Sequence, residues 1–246
     1  SENNVEEGII LIKKIVFGFL AVLSVSTYSF ANQSNITYLI DTPTYSVLDY
    51  GSYDLQFRVF SNGGVLSKLN FGIFKTLNLG VAWELSNIIG TGNVVVAVPT
   101  LQLKFNIYEG SEKIPGFAIG YDGQGFFYDE QEAEFRQKGK GVYFVFGKEI
   151  LLPTLNLNIG VNVNDFKDAR LIGFVGSSIT IIEHSLTGMI ECDNIGKGAY
   201  TRLNAGLRLW ITENFDIDFM VRNLTSDDEE RYGCERILKL SYQSRF

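Results

Sequence analysis

Leu155-Asn156-Leu157-Asn158-Ile159-Gly160-Val161-Asn162-Val163-Asn164 places five branched apolar side chains at every second position and nothing larger than Asn between them. Successive side chains of a strand point to opposite faces, so this period sorts the segment into one apolar and one polar face, which an α-helix would not do. The same period returns in Leu77, Leu79, Val81, Trp83 and Leu85 against Asn78, Gly80, Ala82 and Glu84. It continues in Leu203, Ala205, Leu207 and Leu209 against Arg202, Asn204, Gly206 and Arg208, and in Phe215, Ile217, Phe219 and Val221 against Asp216, Asp218, Met220 and Arg222. These pairs of faces are the units from which an antiparallel sheet is built.

Working outward, the pattern predicts twelve strands, near 52–60, 65–74, 77–86, 98–108, 114–124, 141–149, 154–164, 170–178, 185–193, 201–211, 214–222 and 235–246. Most approach the roughly 9–11 residues that a tilted strand needs to cross a bilayer, and the even count puts both chain ends on one side. Connections alternate in length. Lys75-Thr76, Gly110-Ser111-Glu112, Ile150 to Pro153, Ile179 to His184 and Thr212-Glu213 are compact and read as periplasmic turns. Asn87 to Val96, Gly125 to Lys140 and Asn223 to Cys234 are long, charged or Gly-rich and read as external loops, with Ser61-Asn62-Gly63-Gly64 a short exception. The fold class that follows is all-β, a transmembrane antiparallel up-and-down barrel of about twelve strands occupying 52–246. A soluble β-sandwich shares the alternation but has no reason for this loop asymmetry.

Ahead of the barrel, Lys13-Lys14 precede an apolar run, Ile15 to Tyr28, and Ser29-Phe30-Ala31 supplies small residues where a signal peptidase reads, so 1–31 is expected to be an N-terminal extension and signal peptide cleaved after Ala31. The following 32–51 reads as a periplasmic lead-in, either folded into the periplasmic mouth or a tether. After Ala31 no apolar stretch reaches the roughly 20 residues of a membrane helix. The 25 Gly, 19 Phe and 12 Tyr suit tight turns, lipid contact and interfacial belts, and the net charge of −7 argues against nucleic-acid binding.

The inward face is expected to carry Asp54, Arg58, Lys68, Glu84, Lys104, Asp122, Glu191, Asp193, Arg202, Arg208, Asp216, Asp218, Arg222, Glu235 and Lys239. Such mixed signs either pair into an occluded core or divide into acidic and basic walls around a narrow pore. The interior of a barrel is side-chain-filled at about eight strands and aqueous at about 16–18, so twelve leaves both outcomes open. Catalysis is not expected. Outer-membrane phospholipases share the strand count, but their chemistry needs a Ser nucleophile beside a His base, and His184 falls in a turn beside Ser185 on the side away from the outer leaflet. Cys192 and Cys234 either pair in a loop disulfide or stay free, no zinc-ligand spacing or phosphate-binding loop is present, and no metal or cofactor is expected.

Asp41 to Gly90, with Ser61-Asn62-Gly63-Gly64 and Asn70-Phe71-Gly72, resembles the front of a poorly characterised group of Gram-negative outer-membrane β-barrel proteins distantly similar to YjbH-like proteins, some of them linked to exopolysaccharide systems. The chain is much smaller than the large YjbH-like proteins, and no motif carries a substrate or active residue across. Leu238, Leu240, Tyr242 and Phe246, at the end of the last strand, resemble the terminal signature read by the barrel assembly machinery. The resemblance implies passage through that machinery; the barrel is expected in the bacterial outer membrane as a monomer, with outer-membrane lipids and lipopolysaccharide as its other partners. The expected function is porin-like passage or transport-associated binding of a small polar solute, against a nonconducting structural or adhesive barrel.

Overall fold

The computed structural model describes residues 35–150, 155–166, 170–196, 201–224 and 233–246. The expected export segment and its cleavage position lie outside the described residues. The strands are β1 (Ser52–Phe60), β2 (Gly64–Phe74), β3 (Leu77–Ser86), β4 (Val95–Val96), β5 (Thr100–Tyr108), β6 (Gly116–Asp122), β7 (Phe126–Asp129), β8 (Glu134–Gln137), β9 (Gly141–Ile150), β10 (Leu155–Val163), β11 (Ile172–Ile182), β12 (Leu186–Ile195), β13 (Arg202–Trp210), β14 (Phe215–Arg222) and β15 (Glu235–Arg245). Among the described residues twelve of these form a continuous antiparallel wall, each paired with its neighbour along the chain, while β4 leans on the end of β3 and β7 pairs only with β8. The wall closes on itself: β1 pairs with β2 on one side and with β15 on the other, from Ser52↔Arg245 to Val59↔Leu238.

Alternation sets the two faces. Along β10, Ile159 is 52% exposed while Asn158 is 2% exposed, and Ile159 sits level with Phe146 of β9 and Val175 of β11. Leu101, Leu103 and Phe105 of β5 and Ile119 of β6 continue the same outward band. The exterior of the wall is therefore apolar and its interior polar and charged, the reverse of a water-soluble sheet and the arrangement that hydrocarbon demands. At the short-turn rim the outward ring of Phe246 lies against Phe71 (6.0 Å, stacked) and Tyr53 (5.4 Å), bridging the seam.

Strand ends differ from the sequence expectation by one or two residues in several places, and three departures have a local reason. The strand expected from residue 98 begins at Thr100, because Pro99 has no N–H to give to the ladder. The turn expected over Ile179 to His184 is mostly strand: β11 runs to Ile182, with Ile179 and Ile181 extending the outward band, and only Glu183 to Ser185 remain as the turn. His184 occupies the left-handed region there (φ 57°), and Ser185 N donates to Ile182 O. The connection Gly125 to Lys140 holds the β7–β8 hairpin, pinned by the edge-on rings of Tyr128 and Phe135 and by Arg136 on Asp129 (2.8 Å).

Phe219, half exposed and flanked on the same face by Leu207 and Leu238, sits midway along β14. Phe219→Arg should cost about 2–4 kcal/mol if that face contacts the bilayer midplane. Urea unfolding from lipid vesicles checks this, and an unchanged midpoint would place the face outside hydrocarbon.

Candidate functional site

The segment before β1 occupies the lumen. Residues 35–48 form a hairpin: Thr44 N donates to Thr37 O (3.1 Å), Leu39 N to Thr42 O (3.0 Å), Tyr38 bridges Pro43, and Asn35 Nδ2 reaches Val47 O (3.2 Å). Leu39, Thr42 and Leu48 are essentially fully buried. The sequence leads one to expect this stretch at the periplasmic mouth or as a tether; it goes further, because the interior wall offers partners to the backbone of Thr37, Ile40, Asp41, Thr42, Tyr45, Ser46 and Leu48.

The strongest of these is Glu191 on β12. Its carboxylate accepts from the backbone N–H groups of Ile40 (3.2 Å), Asp41 (2.9 Å) and Thr42 (3.0 Å), from the Thr42 hydroxyl (2.6 Å) and from Asn204 Nδ2 (2.7 Å). Three consecutive backbone donors converging on one anion form the kind of concave nest that loops offer to anions, here filled by the wall's own side chain. Asp41, at the tip, lies between Arg58 of β1 (2.7 Å) and Arg222 of β14 (3.4 Å). Burial opposes its charge, but Arg58, Arg222 and Arg202 outweigh it and hold the carboxyl well below the usual range. A depressed carboxylate stabilises the fold above its unfolded pKa of about 3.9, and that contribution fades only as the pH falls below it, so this anchor is intact near neutrality.

Lower on the hairpin, Lys104 Nζ donates to the carbonyls of Thr37 (2.6 Å) and Ser46 (3.2 Å) and lies 4.4 Å from the centre of the Tyr38 ring, with Lys68 Nζ at 5.1 Å. Asn106 holds Tyr45 O (2.8 Å) and Asn78 accepts from Leu48 N (3.1 Å). Apolar contact completes the fit: Ile40 enters a cluster with Leu66, Ala82, Met220 and Ile237. Close approach explains two inward glycines, since a Cβ on Gly116 or Gly147 would lie 2.4 or 2.3 Å from the Tyr45 ring.

All the charged residues read onto the inward face are buried in the barrel, apart from a slight exposure at Lys68. They fall into separate groups. In the short-turn half, Arg208 grips Asp218 with two bonds (2.8 and 2.9 Å), Asp216 lies 3.4 Å from Arg208, Lys239 adds to Asp218 (2.7 Å), and Asp54 accepts from Gln56 (2.5 Å). In the long-loop half, Asp193 takes Lys140 and Arg202, Glu235 takes Arg222 and Ser61, Asp122 takes Gln102 and faces Lys68 at 3.7 Å, and Glu84 accepts from Ser86 and from Tyr128 N. Above them Phe126 covers Arg222 (4.2 Å) and Arg58 (5.0 Å). The sequence placed these charges but not Lys140, which enters from the end of the long loop, nor the hairpin they hold.

Two small voids lie beside the hairpin. A void of about 40 Å³ lies between the hairpin tip and the wall, room for about three waters, and one of about 10 Å³ beside Tyr38 and Lys104 holds at most one. A larger recess of about 320 Å³ opens at the long-loop rim beside Phe135 and Phe166. Cys192 and Cys234 are both free, and among the described residues no group of three or more His, Cys, Asp and Glu is placed to hold a metal ion.

Fold and site together define a closed twelve-stranded transmembrane barrel whose lumen is filled by a segment of its own chain. No protein-family model matches the chain, and no curated protein matches its sequence. Among solved structures it is similar to the NanC porin, with 11% identity over 79% of this chain and 99% of that one and a TM-score of 0.38. Omp33 of Acinetobacter baumannii gives 12% identity over 82% of this chain and 100% of that one, with a TM-score of 0.36. The N-terminal β-barrel domain of Pseudomonas aeruginosa OprF gives 9%, 79%, 98% and 0.25 in the same order. The strand count and closure are read from this chain's own pairing.

Glu191→Ala should strip three hairpin N–H groups of their acceptor, each at about 1–3 kcal/mol, and speed amide exchange at Ile40, Asp41 and Thr42 by about ten- to a hundredfold. Hydrogen exchange of the folded barrel checks it; unchanged protection would mean that the clamp does not hold the tip.

Proposed function

We propose that the protein is a bacterial outer-membrane barrel that passes small polar solutes when its lumenal hairpin moves aside, and that it is closed in the form described. The observation that carries this reading is the identity of the plug: a short segment of the same chain, joined to β1 and held largely by hydrogen bonds and ion pairs. Such contacts exchange for water at a bounded net cost, typically about 1.5–3 kcal/mol for each bond to a charged group, so the hairpin is separable from a wall whose strands are paired along their length. Behind it stand the acidic and basic groups of a hydrophilic pathway. The short-turn rim then faces the periplasm and the long-loop rim the exterior, with outer-membrane lipids and lipopolysaccharide against the apolar band and the barrel assembly machinery as the inserting partner. We assign it no catalytic activity. The resemblance of Asp41 to Gly90 to YjbH-like proteins adds no substrate to this reading.

The tight filling beside the hairpin favours one other reading, a nonconducting structural or adhesive barrel that presents the β7–β8 hairpin outward. Planar-bilayer recording separates the two. The intact chain should show rare, brief openings, and removal of residues 35–48, or Glu191→Ala where the deletion does not fold, should give long-lived steps whose ion selectivity changes with Lys104→Gln or Asp122→Asn. Confirmed insertion with no steps from either opened form would sink the passage reading and leave the structural one.

A further inference from the structure

The geometry points to a carboxylate-binding site in the long-loop half of the lumen, built on the Nε–Nη2 edge of Arg58, and so to small acids as the solute class. The inference deepens the passage reading and rests on it for transport, though not for binding.

Arg58 is 6% exposed, and only one of its three nitrogens is engaged: Nη1 donates to Asp41 Oδ1 (2.7 Å) and to Ile40 O (3.4 Å). Nε and Nη2 are buried and have no hydrogen-bond partner among the described residues. Those two nitrogens carry the parallel N–H pair that a carboxylate accepts bidentately, and a buried guanidinium edge left unpaired is costly. Arg58 lines the void of about 40 Å³ together with Gln56, Lys68, Arg202 and Lys239, and its room for about three waters matches the three heavy atoms of one carboxylate group. Arg202 Nε, on the same void, is likewise buried and unpartnered.

Three acids also face this space, and each is already engaged. Asp41 is shared by Arg58 and Arg222, Asp193 by Lys140 and Arg202, and Asp122 accepts from Gln102 and from Gln124 N. Asp41 also displays the chemistry of the site directly: it is a carboxylate at the end of a short mobile-length arm, seated between two arginines of the wall. Withdrawal of the hairpin would remove it and free Nη1 of Arg58 as well, while Arg222 would keep its Glu235 partner on the wall. The closed barrel therefore offers a small acid the free edge of Arg58, and the opened barrel offers it the whole Arg58 guanidinium with Arg222 Nη1 beside it.

The test titrates isotope-labelled formate against the detergent-folded full chain and follows its NMR line width, a readout that needs no conduction. Saturable broadening is expected, weakened by about tenfold or more in Arg58→Lys, which keeps the charge and the Asp41 partner but lacks the fork. Asp41→Asn, which removes the internal competitor, should instead strengthen binding. Where Arg58→Lys does not fold, Arg202→Lys carries the comparison and should also weaken it. Absent or unsaturable broadening, broadening indifferent to these variants, or equal displacement by chloride, which needs only a point charge, would each overturn the site. Binding retained in a barrel whose opened forms never conduct would remove the passage reading and leave the carboxylate site standing.

Discussion

Closure of the sheet is the constraint on which everything else depends. Hydrocarbon supplies no hydrogen-bond partner, and each unsatisfied backbone group there costs several kcal/mol, so the outermost strands of the sequence, β1 and β15, have to find each other. Closure fixes the alternation: with register set all the way round, every second side chain of every strand is committed to the interior. The interior then receives more ionisable groups than it can leave unpaired, and their pairing is what gives the lumen its contents.

Buried ion pairs are weak evidence for stability, because taking two charges out of water offsets much of their attraction. Their value here is positional. Arg208, Asp218 and Lys239 tie three adjacent strands, β13, β14 and β15, across the short-turn half, whereas the long-loop half divides its charges between wall and hairpin. The first network is internal to the wall and has no reason to move. The second is shared with a segment outside the sheet, so it is the half of the lumen in which the proposed movement would take place.

Much of this was legible in the sequence, and what was not has a common cause. Period-two alternation encodes which face a side chain occupies, so strand positions and inward charges followed from it, as at Asn158 beside Ile159. It broke where a polar residue holds an outward position, as at Ser177 between Val175 and Ile179, which hid the end of β11, and where Gly and acidic residues surround aromatic ones, as around Phe126 to Phe135, which hid the β7–β8 pair. The hairpin was illegible for a different reason. Its main anchor, Glu191, is held by backbone N–H groups some 150 residues away, and backbone donors leave no mark on the pattern of side chains. One signal was present: Gly116, Gly147 and Gly176 stand on an inward face otherwise lined with larger polar groups, and each marks a place where Tyr45 or Leu39 comes too close for a Cβ.

Gly51 turns the chain through the left-handed region (φ 75°) directly between the hairpin and β1, so the plug hangs from the wall on a linker only a few residues long. A ligand tethered this closely is present at its site at an effective concentration on the order of millimolar whatever the protein concentration. On the passage reading it could not be diluted away or lost to the medium, and it would return as soon as the site emptied. Any solute that needs the place of the hairpin would then compete with a resident at fixed effective concentration, which raises its apparent Kd by a constant factor. Its occupancy curve would keep its shape and move to higher concentration, so an abundant solute would gain entry before a scarce one.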